Sequence, residues 1–381
     1  MAGGGPLRAG PTGADPQGTP TLGFFTGGQL RRLGSVAGLS SADVETYAQV
    51  LTGALGPEAE RPLDLPPPTR TFLSDDHTPV EFSLSFQADA APVMRVLVEP
   101  GCGATGLADN GRAGLEAIRT MARRWGFATD ALDELRDLFL PPAPRGPLAL
   151  WCALELRPGG VPGVKVYLNP AAGGEERSAE TVREALRRLG YGRAFDSLPP
   201  GSGYPFFALD LGGWAEPRVK VYLYHDDLTA GQAGRLSRTD SGPGSAAVED
   251  FFRTAAGLGS DAGGLGGRPV QTCHSFTDPG TARPSGFTLY VPIRDCVRHD
   301  GEALARTSAV LHHHGIDASV LDRALAALTE RRPEDGAGLI AYLALAHQGD
   351  QPPRVTAYLS SEAYAVRPPA AETVRQPVPV A

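Results

Sequence analysis

The sequence predicts an α/β fold in which a closed antiparallel barrel is surrounded by helices. Three observations carry this reading. A pair of strands recurs five times from residue 78 onward, the first four pairs each followed by a helix. Within those strands apolar side chains alternate with polar or ring-bearing ones, the period of two that gives a strand two unlike faces. The only two lysines of the chain, Lys165 and Lys220, both fall in the tetrapeptide Lys-Val-Tyr-Leu and share a strand face with its tyrosine. Strand pairs joined by helices suit a barrel with its helices outside.

In chain order, residues 1–22 are rich in Gly, Pro and Thr and are expected to be a disordered tail. Leu30, Leu33, Val36, Val44, Tyr47, Val50 and Leu51 recur at helical spacing and predict a helical cap over about 28–55. The first strand pair is 78–87 with 92–99, followed by a helix near 112–125. The second is 148–157 with 163–169, followed by 178–189. The third is 204–211 with 217–224, then a Gly-rich loop and a helix near 246–256. The fourth is 269–277 with 286–293, then 301–313. The fifth is 339–347 with 354–360, although Ala341-Tyr-Leu-Ala-Leu-Ala could equally be helix. Successive second strands lie 55 to 72 residues apart, too long a period for a small solenoid. The barrel therefore occupies 23–365 as a single domain, and 366–381 form a Pro-rich tail.

Composition narrows the function. A chain of 381 residues that is 41% hydrophobic can bury a full core. It has no apolar run of about 18 residues, so no membrane span is expected, and Met1-Ala-Gly-Gly-Gly-Pro does not read as a secretory signal. A formal charge of −8 argues against nonspecific nucleic-acid binding. Cys102, Cys152, Cys273 and Cys296 form no C-x-x-C pair, and free thiols in a reducing cytoplasm are expected. No metal site is expected either. Asp75-Asp76 and Asp226-Asp227 do not extend to D-D-x-x-D and read as turn carboxylates, and consecutive His312-His313-His314 on a helix point different ways. Gly259–Gly267 lacks the phosphate-loop form and reads as loop. Trp125 and Trp214 read as packing residues.

The alternation then decides what the barrel encloses. Met94, Val96 and Val98 oppose Arg95. Val355, Ala357 and Leu359 oppose Arg354, Thr356 and Tyr358, and Val80, Phe82, Leu84 and Phe86 oppose Glu81, Ser83 and Ser85. With helices covering the apolar faces, the polar faces point into a wet lumen. That places Arg95, Lys165, Arg218, Lys220 and Arg354 inside, interleaved with Tyr167, Tyr222, Tyr290 and Tyr358. Cations without matching carboxylates repel one another in a partly desolvated cavity, and an anionic ligand such as a diphosphate completes them. Tyrosine faces beside that clamp can stabilise a cation through the ring quadrupole. Clamp and cage together suggest ionisation of an allylic diphosphate. A conventional α/β domain with its polar strand faces in solvent would share the strand pattern.

Glu81 in TPVEFS, Arg95 in RVLVEP, KVYLNP at 165–170, RVKVYL at 218–223, TLYVPIRD at 288–295 and RVTAYLSSEAY at 354–364 occur in the order of the motifs of dimethylallyltryptophan-synthase-type aromatic prenyltransferases. Over about 70–365 the chain resembles the bacterial members of that family, most nearly the actinobacterial 6-dimethylallyl-L-tryptophan synthases. The resemblance implies the ABBA barrel, ten antiparallel strands in five units, with dimethylallyl diphosphate as donor and L-tryptophan as acceptor. By matching position it implies that Arg95, Lys165, Arg218 and Lys220 hold the diphosphate while Tyr167, Tyr222, Tyr290 and Tyr358 shield the allyl cation. Arg354 and Thr288 join the donor group, Thr288 standing where a longer polar residue is frequent. Glu81 would accept the indole N–H, and Trp151 and Asn169 would lie on the acceptor side.

The expected reaction is electrophilic substitution on the indole ring, at C6 by overall similarity. No metal cofactor is called for, because protein cations take the part of magnesium. Glu81 or His77, four residues earlier, are the candidates for removing the last proton. The alternatives are another indole or a tryptophan-containing cyclic dipeptide as acceptor, or a non-catalytic barrel that binds isoprenoid diphosphates. Oligomeric state is not legible.

Overall fold

The computed structural model describes residues 18–214, 217–239, 242–259 and 263–371. Residues 1–17 and 372–381, where tails are expected, lie outside the described residues, as does part of the Gly-rich stretch 259–267. Ten strands close into one antiparallel barrel in which every strand pairs with its neighbour in sequence and β1 pairs with β10. They are β1 (Val80–Phe86), β2 (Val93–Val98), β3 (Leu150–Glu155), β4 (Gly163–Leu168), β5 (Phe207–Leu211), β6 (Val219–His225), β7 (Val270–Phe276), β8 (Gly286–Val291), β9 (Ile340–Gln348) and β10 (Arg354–Ser360). The ambiguous segment at 341–346 is strand. Its leucines Leu343 and Leu345 are buried on the outer face while Ala344 and Ala346 face Tyr290 and Thr288 across the ladder.

The cap consists of α1 (Leu22–Val36) and α2 (Ser41–Leu55), and outside the barrel run α3 (Leu107–Trp125), α4 (Asp130–Glu134), α5 (Arg136–Phe139), α6 (Ser178–Arg188), α7 (Ala230–Ala233), α8 (Ser245–Ala256), α9 (Asp300–His313) and α10 (Ser319–Leu328). Helix α1 starts earlier than the apolar spacing alone suggests, because the Thr21 side chain caps it by accepting from the Phe24 N–H. Helix α3 buries Leu115, Ile118, Met121 and Ala122, one stripe at spacings of three and four, and stops at Gly126, whose left-handed φ of 68° suits glycine.

The core is a shell between barrel and helices. Phe82, Leu84, Val96, Val166, Val221, Leu289 and Leu359 of the outer strand faces are fully buried in one cluster with Ile118, Leu186, Phe252 and Leu311 of the helices. Inside, the ladder sets large against small. Tyr222 pairs with Cys273, Lys220 with Ser275, Lys165 with Ala153 and Thr288 with Ala346. At these positions a small residue leaves room beside a longer one, whereas Trp151 stands opposite Tyr167 and Tyr342 opposite Tyr358.

Candidate active site

Two cavities meet in that lumen. One, of about 210 Å³, is lined by Arg95, Lys165, Arg218, Lys220, Arg354, Thr288 and Trp214. The other, of about 230 Å³, is lined by Trp151, Phe206, Asn169, Arg294 and Tyr342. Glu81, Leu97, Tyr167, Tyr222, Tyr290 and Tyr358 line both, so the lumen is continuous and the tyrosines stand at its waist. Their rings form an arc across β4, β6, β8 and β10, with centroids 5.7 Å apart from Tyr167 to Tyr222, 5.9 Å on to Tyr290 and 5.7 Å on to Tyr358. The arc exists because β4, β6, β8 and β10 each bring an inward tyrosine to a similar height, while β2 brings Arg95 and Leu97.

The five cations at the first end do meet, but not without carboxylates, and here the sequence expectation needs correction. Asp210 of β5, whose side chain is fully buried, accepts from Arg218 Nε at 2.7 Å and from Lys220 Nζ at 3.0 Å. Glu155 of β3 accepts from Arg95 Nη2 at 2.7 Å and from Arg157 Nη2 at 2.9 Å. Burial alone would raise both acids. The surrounding Lys220, Lys165 and Arg218 outweigh it at Asp210, and Arg95 and Arg157 at Glu155, so both are held down at about 2. Two carboxylates do not balance five cations. Burial lowers the pKa of Lys220 and Lys165, which neighbouring positive charges push further down, Arg218 in both cases. Arg354 falls to about 10 through burial, Arg95 and Arg218, and its Nε has no hydrogen-bond partner. The excess is positive, and an anion would relieve it.

Trp214 packs, as expected, but against charge. Its ring lies 4.8 Å from the Arg157 guanidinium, 5.1 Å from that of Arg218, 5.8 Å from Lys220 Nζ and 6.0 Å from Lys165 Nζ.

At the second end Glu81 is 6% exposed, and burial lifts its carboxyl to about 8, against a lowering influence from Arg294 and a raising one from Asp75. Trp151 lies at 5.3 Å from Phe206 and is fixed by its Nε1 donating to Glu99 at 3.3 Å. Phe206 meets Tyr167 and Tyr222 edge-on at 5.7 and 5.6 Å. An aromatic slot results, with one acid at its inner end.

Geometry turns one predicted residue away and restricts another. His77 does not line either cavity. A backbone φ of 62° turns it back so that Nδ1 meets the Thr71 carbonyl at 2.9 Å, which removes it as a proton acceptor for the lumen. Asn169 borders the second cavity, but its Nδ2 donates to the Arg145 and Leu148 carbonyls and its Oδ1 accepts from the Ala171 N–H, so both amide hydrogens are spent on the turn after β4.

Sequence reasoning missed Arg294. It is 3% exposed, its ring-facing side lies 4.9 Å over Tyr342, and its Nε and Nη1 lack hydrogen-bond partners. Asp75 stands 3.4 Å from Nη1 without the geometry of a hydrogen bond. The signal was present in TLYVPIRD, where an arginine stands three residues beyond the end of a buried strand. Among the described residues no group of three or more His, Cys, Asp or Glu could hold a metal ion, and no helix is long and apolar enough to cross a membrane.

A ten-stranded barrel with a cation cluster at one end of its lumen, a tyrosine waist and an aromatic slot at the other is the build of an aromatic prenyltransferase. Residues 40–323 match the family described as Tryptophan dimethylallyltransferase. A 5-dimethylallyltryptophan synthase from Streptomyces coelicolor is 85% identical over 91% of this chain and 99% of its own, with a TM-score of 0.89, and the enzyme has also been solved in complex with DMASPP and Trp. The prenyltransferase PriB, in a ternary complex with L-tryptophan and dimethylallyl thiolodiphosphate, is 62% identical over 93% and 99% with a TM-score of 0.91. A 6-dimethylallyltryptophan synthase from Micromonospora olivasterospora is 41% identical over 92% and 99% with a TM-score of 0.84. The chain belongs to the tryptophan dimethylallyltransferase family, and its fold is the ABBA barrel.

Proposed function

We propose that this enzyme transfers the dimethylallyl group of dimethylallyl diphosphate to a carbon of the indole ring of L-tryptophan. The observation that carries the reading is the division of the lumen, with five cations over two carboxylates on one side of the tyrosine arc and an acid in an aromatic slot on the other. Arg95, Lys165, Arg218, Lys220 and Arg354 hold the diphosphate, with Thr288 beside them. They stabilise charge that grows on the leaving group, so their attraction is larger in the transition state than in the ground state. Those cations supply the charge for which other prenyl synthases use a metal, and the reaction is expected to run in EDTA. Tyr167, Tyr222, Tyr290 and Tyr358 then surround the allyl cation with ring faces.

Glu81, once ionised, accepts the indole N–H, raises the electron density of the ring and fixes its pose. It is also the group nearest in kind for the last proton, now that His77 is turned away. The unpartnered donors of Arg294 suit the carboxylate of the amino acid, with Trp151 and Phe206 as walls and Asn169 as a fixed edge. The ring position moves from the C6 expected of the sequence to C5, because the relative at 85% identity is a 5-synthase and the 6-synthase is at 41%.

The test is incubation with dimethylallyl diphosphate and L-tryptophan in EDTA, with mass spectrometry for transfer and NMR for the carbon. A product substituted at C6 would overturn the assignment of position alone. No product with tryptophan or any other indole would leave a barrel that binds isoprenoid diphosphates without catalysis.

A further inference from the structure

Trp214 has a relation to the cations that the transfer reaction described above does not use. It sits in the loop between β5 and β6, and its Nε1 donates to the Val164 carbonyl at 2.8 Å. That bond lays the ring across the start of β4, where Gly163 leaves space, since a Cβ there would meet the indole Cζ2 at 2.8 Å. From this place one ring lies within 6.0 Å of Arg157, Arg218, Lys220 and Lys165. Indole is the most attractive of the aromatic faces for a cation. Unlike a third carboxylate it carries no net charge, so it can gather cations without repelling an incoming anion. An aliphatic side chain in its place would leave Asp210 and Glu155 alone to oppose the repulsion among them.

We propose that Trp214 is a positioning residue of the donor site, whose ring holds Lys165, Arg218 and Lys220 in register in the empty enzyme and keeps them so when diphosphate binds. This rests on the reading of that cavity as the diphosphate site. Because the ring acts on the clamp and not on the acceptor, its effect is confined to the donor.

The test uses inorganic diphosphate and calorimetry on Trp214→Leu and Trp214→Phe, with Lys220→Met as the control for the cavity itself. Trp214→Leu is expected to bind diphosphate about tenfold more weakly, and Trp214→Phe, which keeps a ring face, within about twofold of the parent. In steady state Trp214→Leu raises KM for the donor and leaves KM for tryptophan in place. The tryptophan emission of the parent changes on diphosphate binding, and that change is lost in Trp214→Phe, which retains Trp125 and Trp151. Parent-like affinity in Trp214→Leu with Lys220→Met impaired overturns the role of Trp214 alone. Parent-like affinity in both overturns the diphosphate site. An equal loss in the Phe and Leu variants, or a matching rise in KM for tryptophan, assigns the effect to general loosening of the loop and also overturns the proposal. Should Trp214→Leu not fold, an emission in the parent that is unmoved by saturating diphosphate does the same.

Discussion

Replacing Glu81 by Gln removes the buried acid of the aromatic slot and should make the ligand-free protein more stable, by an amount that depends on pH. Glu81 is buried and titrates at about 8 instead of its ordinary 4.5. The folded state therefore keeps a proton that the unfolded chain gives up, and the stability tied to that proton is complete below 4.5 and lost as pH rises through 8. Gln does not titrate. At about 1.4 kcal/mol for each pH unit, the advantage of Glu81→Gln is under about 1 kcal/mol at pH 5 and about 3 kcal/mol at pH 7. It levels off near about 5 kcal/mol above pH 8. Urea unfolding of parent and variant at pH 5, 7 and 9, without substrates, measures the difference directly. A difference that is constant with pH, or a variant less stable at pH 9, would refute a carboxyl destabilised by burial. The same variant should lose most of its prenyl transfer, so that stability and activity move in opposite directions at one atom.

Further outcomes follow from the same geometry. Binding of tryptophan to the parent at pH 7 should release nearly one proton as Glu81 ionises to meet the indole N–H, read by calorimetry in buffers of different ionisation enthalpy; no release would place the indole elsewhere. Lys220→Met should lower turnover by orders of magnitude with the circular dichroism spectrum unchanged. Asp210→Asn leaves buried cations unpaired and should cost about 3 kcal/mol, and because diphosphate then supplies the missing charge, its addition should raise the melting temperature more in the variant than in the parent. Burial holds His274 down at about 3, and His225 and His347 at about 4. Their neutral forms therefore support folding above 6.5, and that support is lost as pH falls toward 4. His274→Phe should flatten this acid limb in urea titrations.

The barrel was legible because its two faces have different chemistry. Helices demand an apolar outer face, so Arg95, Lys165, Lys220 and the four tyrosines had only the lumen to enter. The carboxylates were not legible for the same reason. In FFALDL the single Asp210 reads as an interruption of an apolar strand, and only the pairing of β4 with β5 sets it opposite Lys165. Glu155 likewise becomes a lumen residue once β2 and β3 put it across from Arg95. Trp214 and Arg294 lie just beyond strand ends, where periodicity is silent and the path of the loop decides. His77 was misplaced because its proximity to Glu81 in sequence does not survive a turn of reversed handedness.

The location of the core has an evolutionary consequence. In most small barrels the residues that hold the strands together are the residues inside, so any new interior chemistry must be found among side chains that also pack. Here the large apolar shell lies outside the strands, and inside are two small apolar clusters and the ion pairs of the cation end. A lineage can therefore rewrite the slot around Trp151, Phe206 and Arg294, and with it the choice of aromatic partner, while the chain goes on folding as before. Selection on the apolar walls of the slot is thereby largely separated from selection on the scaffold.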